Sequence, residues 1–313
     1  MPLWRSRMTS KITILLETTG IFSGSQGKVI LVTGGNIGLG KQTILELSRH
    51  GPAQIWLASR NLEKAQVAAD DIKRQIPGSR IELLELDLTS FESIRKAVTT
   101  FKSKSDRLDI LMLNAGIMAT LPGLTKEGYE IQFGTNHMGH AYLTKLLLPV
   151  LETTARTGDV RIVSLSSDGH TMWPQGEFHF ESLKTPADSL GPYKRYFRSK
   201  LANVLWVRQM AKVYPQFTVA AIHPGVVQTN LMDSASGTPA IVRTMTRFFY
   251  GFLKTVEDGA KNQLWASVSK DVQSGEYYTP VGITGKASVD GMNDHLAKEV
   301  WDWTQRELEA HGV

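Results

Sequence analysis

KVILVTGGNIGLG, residues 28–40, runs from an apolar strand candidate into a turn carrying Gly34, Gly35, Gly38 and Gly40. Behind it, Lys41–His50 has the composition of a helix. A strand, a loop with little side-chain bulk and a helix N-terminus together make a seat for a pyrophosphate. The glycines let the backbone approach the phosphates, and the unpaired N–H groups of the first helical turn point at the anion. Short Gly-rich strings also occur in ordinary turns, so the rest of the chain has to supply the context.

Working outward, further apolar strand candidates lie at Gln54–Ala58, Arg80–Leu86, Asp109–Asn114, Arg161–Ser166 and Thr218–His223, each followed by a helical pattern. Most are nearly continuous in Val, Ile and Leu, as expected when both faces of a parallel sheet are covered. Asn61 is placed to cap Leu62–Ile76, and Thr89-x-x-Glu92 reads as a capping box for the next helix. A short strand near Tyr277–Thr279 and helices at Val256–Val268 and Trp301–Leu308 complete the series. The expectation is an α/β Rossmann fold, a doubly wound parallel sheet with helices on both faces and ligands at the strand carboxyl ends.

A chain of 313 residues can bury roughly three quarters of its unfolded surface, enough for one large domain. We expect an irregular lead-in over residues 1–27 and a single NAD(P)-binding domain over 28–313. The net charge of +5 comes without a dense basic run, which argues against nucleic acid and suits an anionic cofactor. The chain has no cysteine, so a cytoplasmic enzyme without thiolate chemistry is expected. The apolar patch Ile12–Leu16 falls far short of the roughly 20 residues of a membrane span. Two long segments break the β/α rhythm, Asp168–Pro192 and a substrate-lid insertion at about 225–254; long irregular insertions at this end of a sheet are more often functional than idle.

Several residues carry chemistry on their own account. Where an NAD site usually holds Asp or Glu, twenty residues past Gly40, stands Arg60; a guanidinium attracts a 2′-phosphate, so NADP(H) is favoured over NAD(H). A solvated arginine at a strand end is the plain alternative. Asp87 ends the third strand and can face an adenine or simply hold a turn. Asn114-Ala115-Gly116 ends the fourth, and its small residues admit a ribose while Asn114 can tie two strand ends together. Asn136 lies inside a helical stretch, where propensity disfavours it. His137 and His140 share that helix, but no carboxylate stands at matching spacing; local polar packing is preferred and no metal site is expected. Tyr196 and Lys200 are four apart, on one helical face. An ammonium beside a phenol, whose ordinary pKa is about 10, favours the phenolate and draws the group toward neutral pH. The rival Tyr193 has Phe197 as its fourth neighbour, which lends no charge.

Thr33-Gly34-x-x-x-Gly38-x-Gly40, Asn114-Ala115-Gly116, Asn136, Ser167, Tyr196-x-x-x-Lys200 and Pro224-Gly225-x-Val227-x-Thr229 stand in this order. In these motifs the chain resembles the short-chain dehydrogenase/reductase family, over nearly everything from Lys28 onward. Arg60-Asn61, the long Ser-to-Tyr segment, GEYYTPVG and VWDWTQREL look most like its retinol-dehydrogenase-like and protochlorophyllide-reductase-like members. The resemblance implies that Tyr196 is the acid or base at the carbonyl oxygen, that Lys200 holds the nicotinamide ribose, and that Ser167 orients the substrate carbonyl. Asn136 would hold a relay water, and Thr229 the nicotinamide carboxamide. The implied cofactor set is Thr33, Gly34, Asn36, Ile37, Gly38, Leu39, Gly40, Arg60, Asp87, Asn114, Ala115, Gly116, Tyr196, Lys200, Val227 and Thr229. Leu113 and Ser164 depart from common asparagines without touching the proton-transfer set.

The expected function is an NADP(H)-dependent oxidoreductase interconverting a carbonyl and an alcohol. The alternative is a non-catalytic dinucleotide-binding regulatory protein. The single residue between Gly38 and Gly40 disfavours a nucleotide-sugar epimerase. Phe248, Phe249, Tyr250 and Phe252 in TMTRFFYGF suggest an apolar lid for a lipophilic aldehyde or ketone, with packing against a body or partner and weak membrane contact as rival accounts. The oligomeric state is left open, a homodimer included.

Overall fold

In VILVT, Val29–Thr33 (β1), every side chain is buried, yet alternate ones enter different cores: Leu31 joins one, Ile30 and Val32 the other. A strand covered on both faces reads as an unbroken apolar run because its period of two sends successive side chains to opposite layers. The computed structural model describes residues 25–227, 235–237 and 254–312. Within them β1 is joined by Gln54–Ser59 (β2), Ile81–Glu85 (β3), Ile110–Leu113 (β4), Val160–Leu165 (β5), Phe217–Ile222 (β6) and Tyr277–Tyr278 (β7). All pairings are parallel, in the order β3-β2-β1-β4-β5-β6-β7.

One face carries Gly38–Ser48 (α1), Leu62–Gln75 (α2) and Val256–Val268 (α6). The other carries Phe91–Lys104 (α3), Gly139–Ala155 (α4), Gly191–Val213 (α5) and Asp294–Glu309 (α7). In α3 the buried residues Phe91, Ile94, Val98 and Phe101 follow the helical repeat, and each large side chain buried this way contributes about 1.5–3 kcal/mol. The chain leaves β1 toward β2 and β3, then returns through β4 to build the other half. The crevice of this doubly wound sheet therefore opens between the carboxyl ends of β1 and β4.

The cap assigned to Asn61 is present: its side chain accepts from Lys64 N at 2.8 Å. The capping box expected at Thr89 and Glu92 is not. Ser90 caps α3 by accepting from Ser93 N, because Asp87 Oδ1 already takes both the Thr89 N–H (2.9 Å) and its hydroxyl (2.8 Å), while Glu92 pairs with Lys96 at 2.6 Å. A carboxylate is the stronger acceptor and removes Thr89 from the cap. Segment 168–192 contributes to the core. Trp173, Phe178 and Leu183 are buried in the core, and Phe180 packs 5.9 Å from Trp303 of α7, so much of it is structural cover.

Candidate active site

Thr33 and Asn114 stand at the carboxyl ends of neighbouring strands and are bonded to one another. Asn114 N and Ala115 N donate to Thr33 Oγ1 at 2.9 and 3.0 Å, and Asn114 Nδ2 donates to Thr33 O at 2.8 Å. The tie between strand ends expected of Asn114 is made. The loop beyond Thr33 has Gly34 at φ +65° and Gly38 at φ +54°, the left-handed region that glycine enters without strain. A Cβ on Gly40 would sit 2.3 Å from Gly34 O, so loop and helix approach closer than any side chain allows. Asn36 is half-buried and Ile37 exposed on this loop. α1 begins behind Ile37 with no side-chain cap and no acidic residue in its first turn. Unbonded N–H groups at a helix start, reached over a loop without bulk, have the donor chemistry that a pyrophosphate requires.

Other residues of the implied cofactor set divide. Leu39 and Val227 meet at Gly259 of α6, where a Cβ would lie 2.8 and 2.5 Å from their methyl groups. Arg60 is exposed just past β2 and makes no hydrogen bond or ion pair among the described residues. Asp87 holds the Thr89 turn. A Cβ on Gly116 would approach Asn136 Oδ1 at 3.2 Å and Lys200 Nζ at 3.5 Å, which brings the end of β4 against the second half of the site. Thr229 and the lid aromatics Phe248, Phe249, Tyr250 and Phe252 lie outside the described residues.

α5 presents Tyr196 and Lys200 one turn apart, both buried. Lys200 Nζ lies 5.7 Å from the Tyr196 ring centre and donates to Leu165 O at 2.8 Å, at the end of β5. Ser167 lies beside the Tyr196 side chain, and its hydroxyl oxygen accepts from Gly169 N at 3.0 Å. Burial pushes the Tyr196 phenol up to about 12 against the pull of Ser167, and burial pushes Lys200 down to about 7. The expectation that Lys200 lowers the Tyr196 pKa is thus not met by these protein groups. Desolvation opposes both charged forms, and the lysine's hydrogen bond is directed at a carbonyl instead of the phenol.

Asn136 sits in a π turn, Gly134–Met138, between the helical turn Ile131–Phe133 and α4. Its amide accepts from Ile117 N at 2.8 Å and donates to Ile117 O and Ser199 Oγ, both at 2.9 Å. These three bonds account for an asparagine that helix propensity disfavours; π turns recur at functional sites. Ser199 Oγ in turn donates to Tyr196 O at 2.7 Å. His137 and His140 are buried and hydrogen-bonded, His137 Nε2 to Thr304 Oγ1 at 2.9 Å, so local polar packing describes them.

Two clusters escaped the reading of the sequence. Arg195 and Arg198, to which no role was assigned, are buried beside Tyr196. Arg195 pairs with buried Glu130 at 3.0 Å, and Arg198 bonds Ser182 and lies over Trp173. No local pattern foretells a pair 65 residues apart. The second cluster surrounds Asp168. Its carboxylate accepts from Tyr277 OH at 2.6 Å and faces His223 Nε2 at 3.2 Å, while burial pushes His223 down to about 4. Their adjacency to Ser167 and to Pro224-Gly225 was the available signal.

Comparison with known proteins places these motifs in context. The family model described as short chain dehydrogenase matches residues 28–179. The short-chain dehydrogenase/reductase drtF of Aspergillus calidoustus is 36% identical over 299 residues, covering 90% of this chain and 94% of its own. Retinol dehydrogenase 11 of Mus musculus is 34% identical over 302 residues, covering 94% and 91%. Among solved structures, an uncharacterized protein from Mycobacterium paratuberculosis superposes with a TM-score of 0.68 at 29% identity, covering 91% of this chain and 94% of that one.

Proposed function

The chain belongs to the short-chain dehydrogenase/reductase family of oxidoreductases, and from that premise we propose that it is an NADP(H)-dependent carbonyl reductase, or the same alcohol dehydrogenase in reverse. The observation that carries this reading is the buried Tyr196, which lies beside Ser167 on a helix that also brings Lys200 against Gly116. The glycine loop and the uncapped start of α1 would hold the pyrophosphate, and Gly116, Asn136 and Lys200 border the space for the ribose. NADP(H), when bound, supplies or accepts the hydride.

The protein's own part is position and proton. Tyr196, raised to about 12, is a protonated phenol at neutral pH, the form suited to donating to a carbonyl oxygen during reduction. Ser167 orients that oxygen from the side of β5. Asn136 and Ser199 hold the backbone of α5 beneath Tyr196. The no-catalysis reading, a cofactor-binding regulator, loses ground because Asn136, Ser167, Tyr196 and Lys200 are all present in the chain. A lipophilic substrate is supported by the aromatic run TMTRFFYGF alone.

NADPH oxidation measured with purified protein across a panel of aldehydes, ketones and quinones is the direct test. Turnover of at least one apolar carbonyl is expected. Tight NADPH binding without turnover of any would favour the regulator. Arg60→Glu is expected to weaken NADPH binding by about ten- to a hundredfold, the scale of one charge-assisted contact, with little effect on NADH. A fluorescence titration in which both cofactors shift equally would remove Arg60 from the 2′-phosphate site.

A further inference from the structure

His140 touches the dinucleotide loop with one ring nitrogen and the catalytic half of the site with the other. Its Nδ1 lies 3.1 Å from Asn136 O and its Nε2 lies 2.9 Å from Thr33 Oγ1. The direction of each bond follows from the partners. A peptide oxygen only accepts, so Nδ1 carries the proton and Nε2 of the neutral ring accepts. Thr33 Oγ1 already receives Asn114 N and Ala115 N, which fill its lone pairs, and its own proton goes to Nε2 in preference to Met112 O at 3.4 Å. Full burial keeps the ring neutral, holding its pKa down to about 3.

The bonds form a continuous path. Asn114 and Ala115 lead to Thr33, Thr33 to His140, and His140 to the Asn136 peptide. The Asn136 side chain leads on to Ser199, and Ser199 to the backbone of Tyr196. We propose that His140 is a positioning residue: one edge of its imidazole braces the Thr33 hydroxyl, and with it the cofactor loop, while the other edge separately braces the Asn136 peptide oxygen and the segment leading to the helix that carries the proton donor. The proposal rests on the carbonyl-reductase reading for its effect on turnover and on dinucleotide binding alone for its effect on affinity.

The two edges separate experimentally. Asparagine can reproduce the Nδ1 donor toward Asn136 O, and glutamine the Nε2 acceptor toward Thr33. His140→Asn is expected to raise the NADPH dissociation constant about three- to tenfold with kcat nearly intact, the scale of one neutral hydrogen bond. His140→Gln is expected to lower kcat by a similar factor with NADPH affinity nearly intact. Both are measured on the full chain, alongside thermal melts, by fluorescence titration and steady-state rates. Equal changes in affinity and kcat for the two variants, or none in either, would overturn the bracing role. A wild type that binds NADPH without turnover would overturn the reductase reading by itself. The bracing role would then stand or fall on the affinity comparison, with weaker binding only in His140→Asn supporting it and equal affinities overturning it.

Discussion

Tyr196→Phe is expected to lower kcat by about a hundredfold or more, the scale of a lost general acid, while folding and cofactor binding stay close to wild type. The substitution removes one oxygen and leaves the ring. That ring is packed in the core, 6.2 Å from Phe197 and 5.7 Å from Lys200 Nζ. The neighbouring Ser167 oxygen keeps its contact with Gly169 N. The change therefore isolates the proton from the packing. Steady-state rates with the best carbonyl of the panel decide it; activity within tenfold of wild type would move the acid elsewhere.

Arg195→Ala is expected to cost about 3–5 kcal/mol of stability, the range for removing one partner of a buried ion pair. Arg195 and Glu130 are 1% and 0% exposed, so the carboxylate left behind would have no water to replace the guanidinium. The arginine also donates to Thr120 O at 2.7 Å, Gly191 O at 3.3 Å and Leu121 O at 3.4 Å, and Glu130 Oε2 accepts from Phe133 N at 2.8 Å. The pair thus binds the start of α5 to the helical turn that leads into Asn136. Glu130→Ala should cost a similar amount, because it strands the opposite charge. Urea unfolding measures both, and a loss below about 1 kcal/mol, the ceiling for exposed pairs, would show that water reaches the site.

These two residues are neighbours in sequence, and only one was legible there. Tyr196 announces itself through Lys200, since a helical repeat of 3.6 puts residues four apart on one face whatever the rest of the molecule does. The glycine loop and the alternation of β and α are legible for the same reason: strand period, turn chemistry and close backbone approach are local requirements. Arg195 carries no such mark, because its partner is 65 residues away. The cap on α3 failed for a related reason. Thr89 and Ser90 are both competent caps, and the choice was made by the Asp87 carboxylate.

Local spacing, by itself, determined the doubly wound α/β architecture, the seat for a dinucleotide and the Tyr196–Lys200 pair. Tertiary structure alone decided how those groups are charged and held. Burial acts on Tyr196 and Lys200 through the surrounding core, and it raises the phenol to about 12 and lowers the amine to about 7 where helical adjacency predicted attraction between them. The histidine at position 140, one of two on its helix in the sequence, became a bridge because β1 and the π turn converge on it from opposite sides. Periodicity is a property of neighbours along the chain, whereas desolvation and long-range hydrogen bonds depend on which distant segments close around a group.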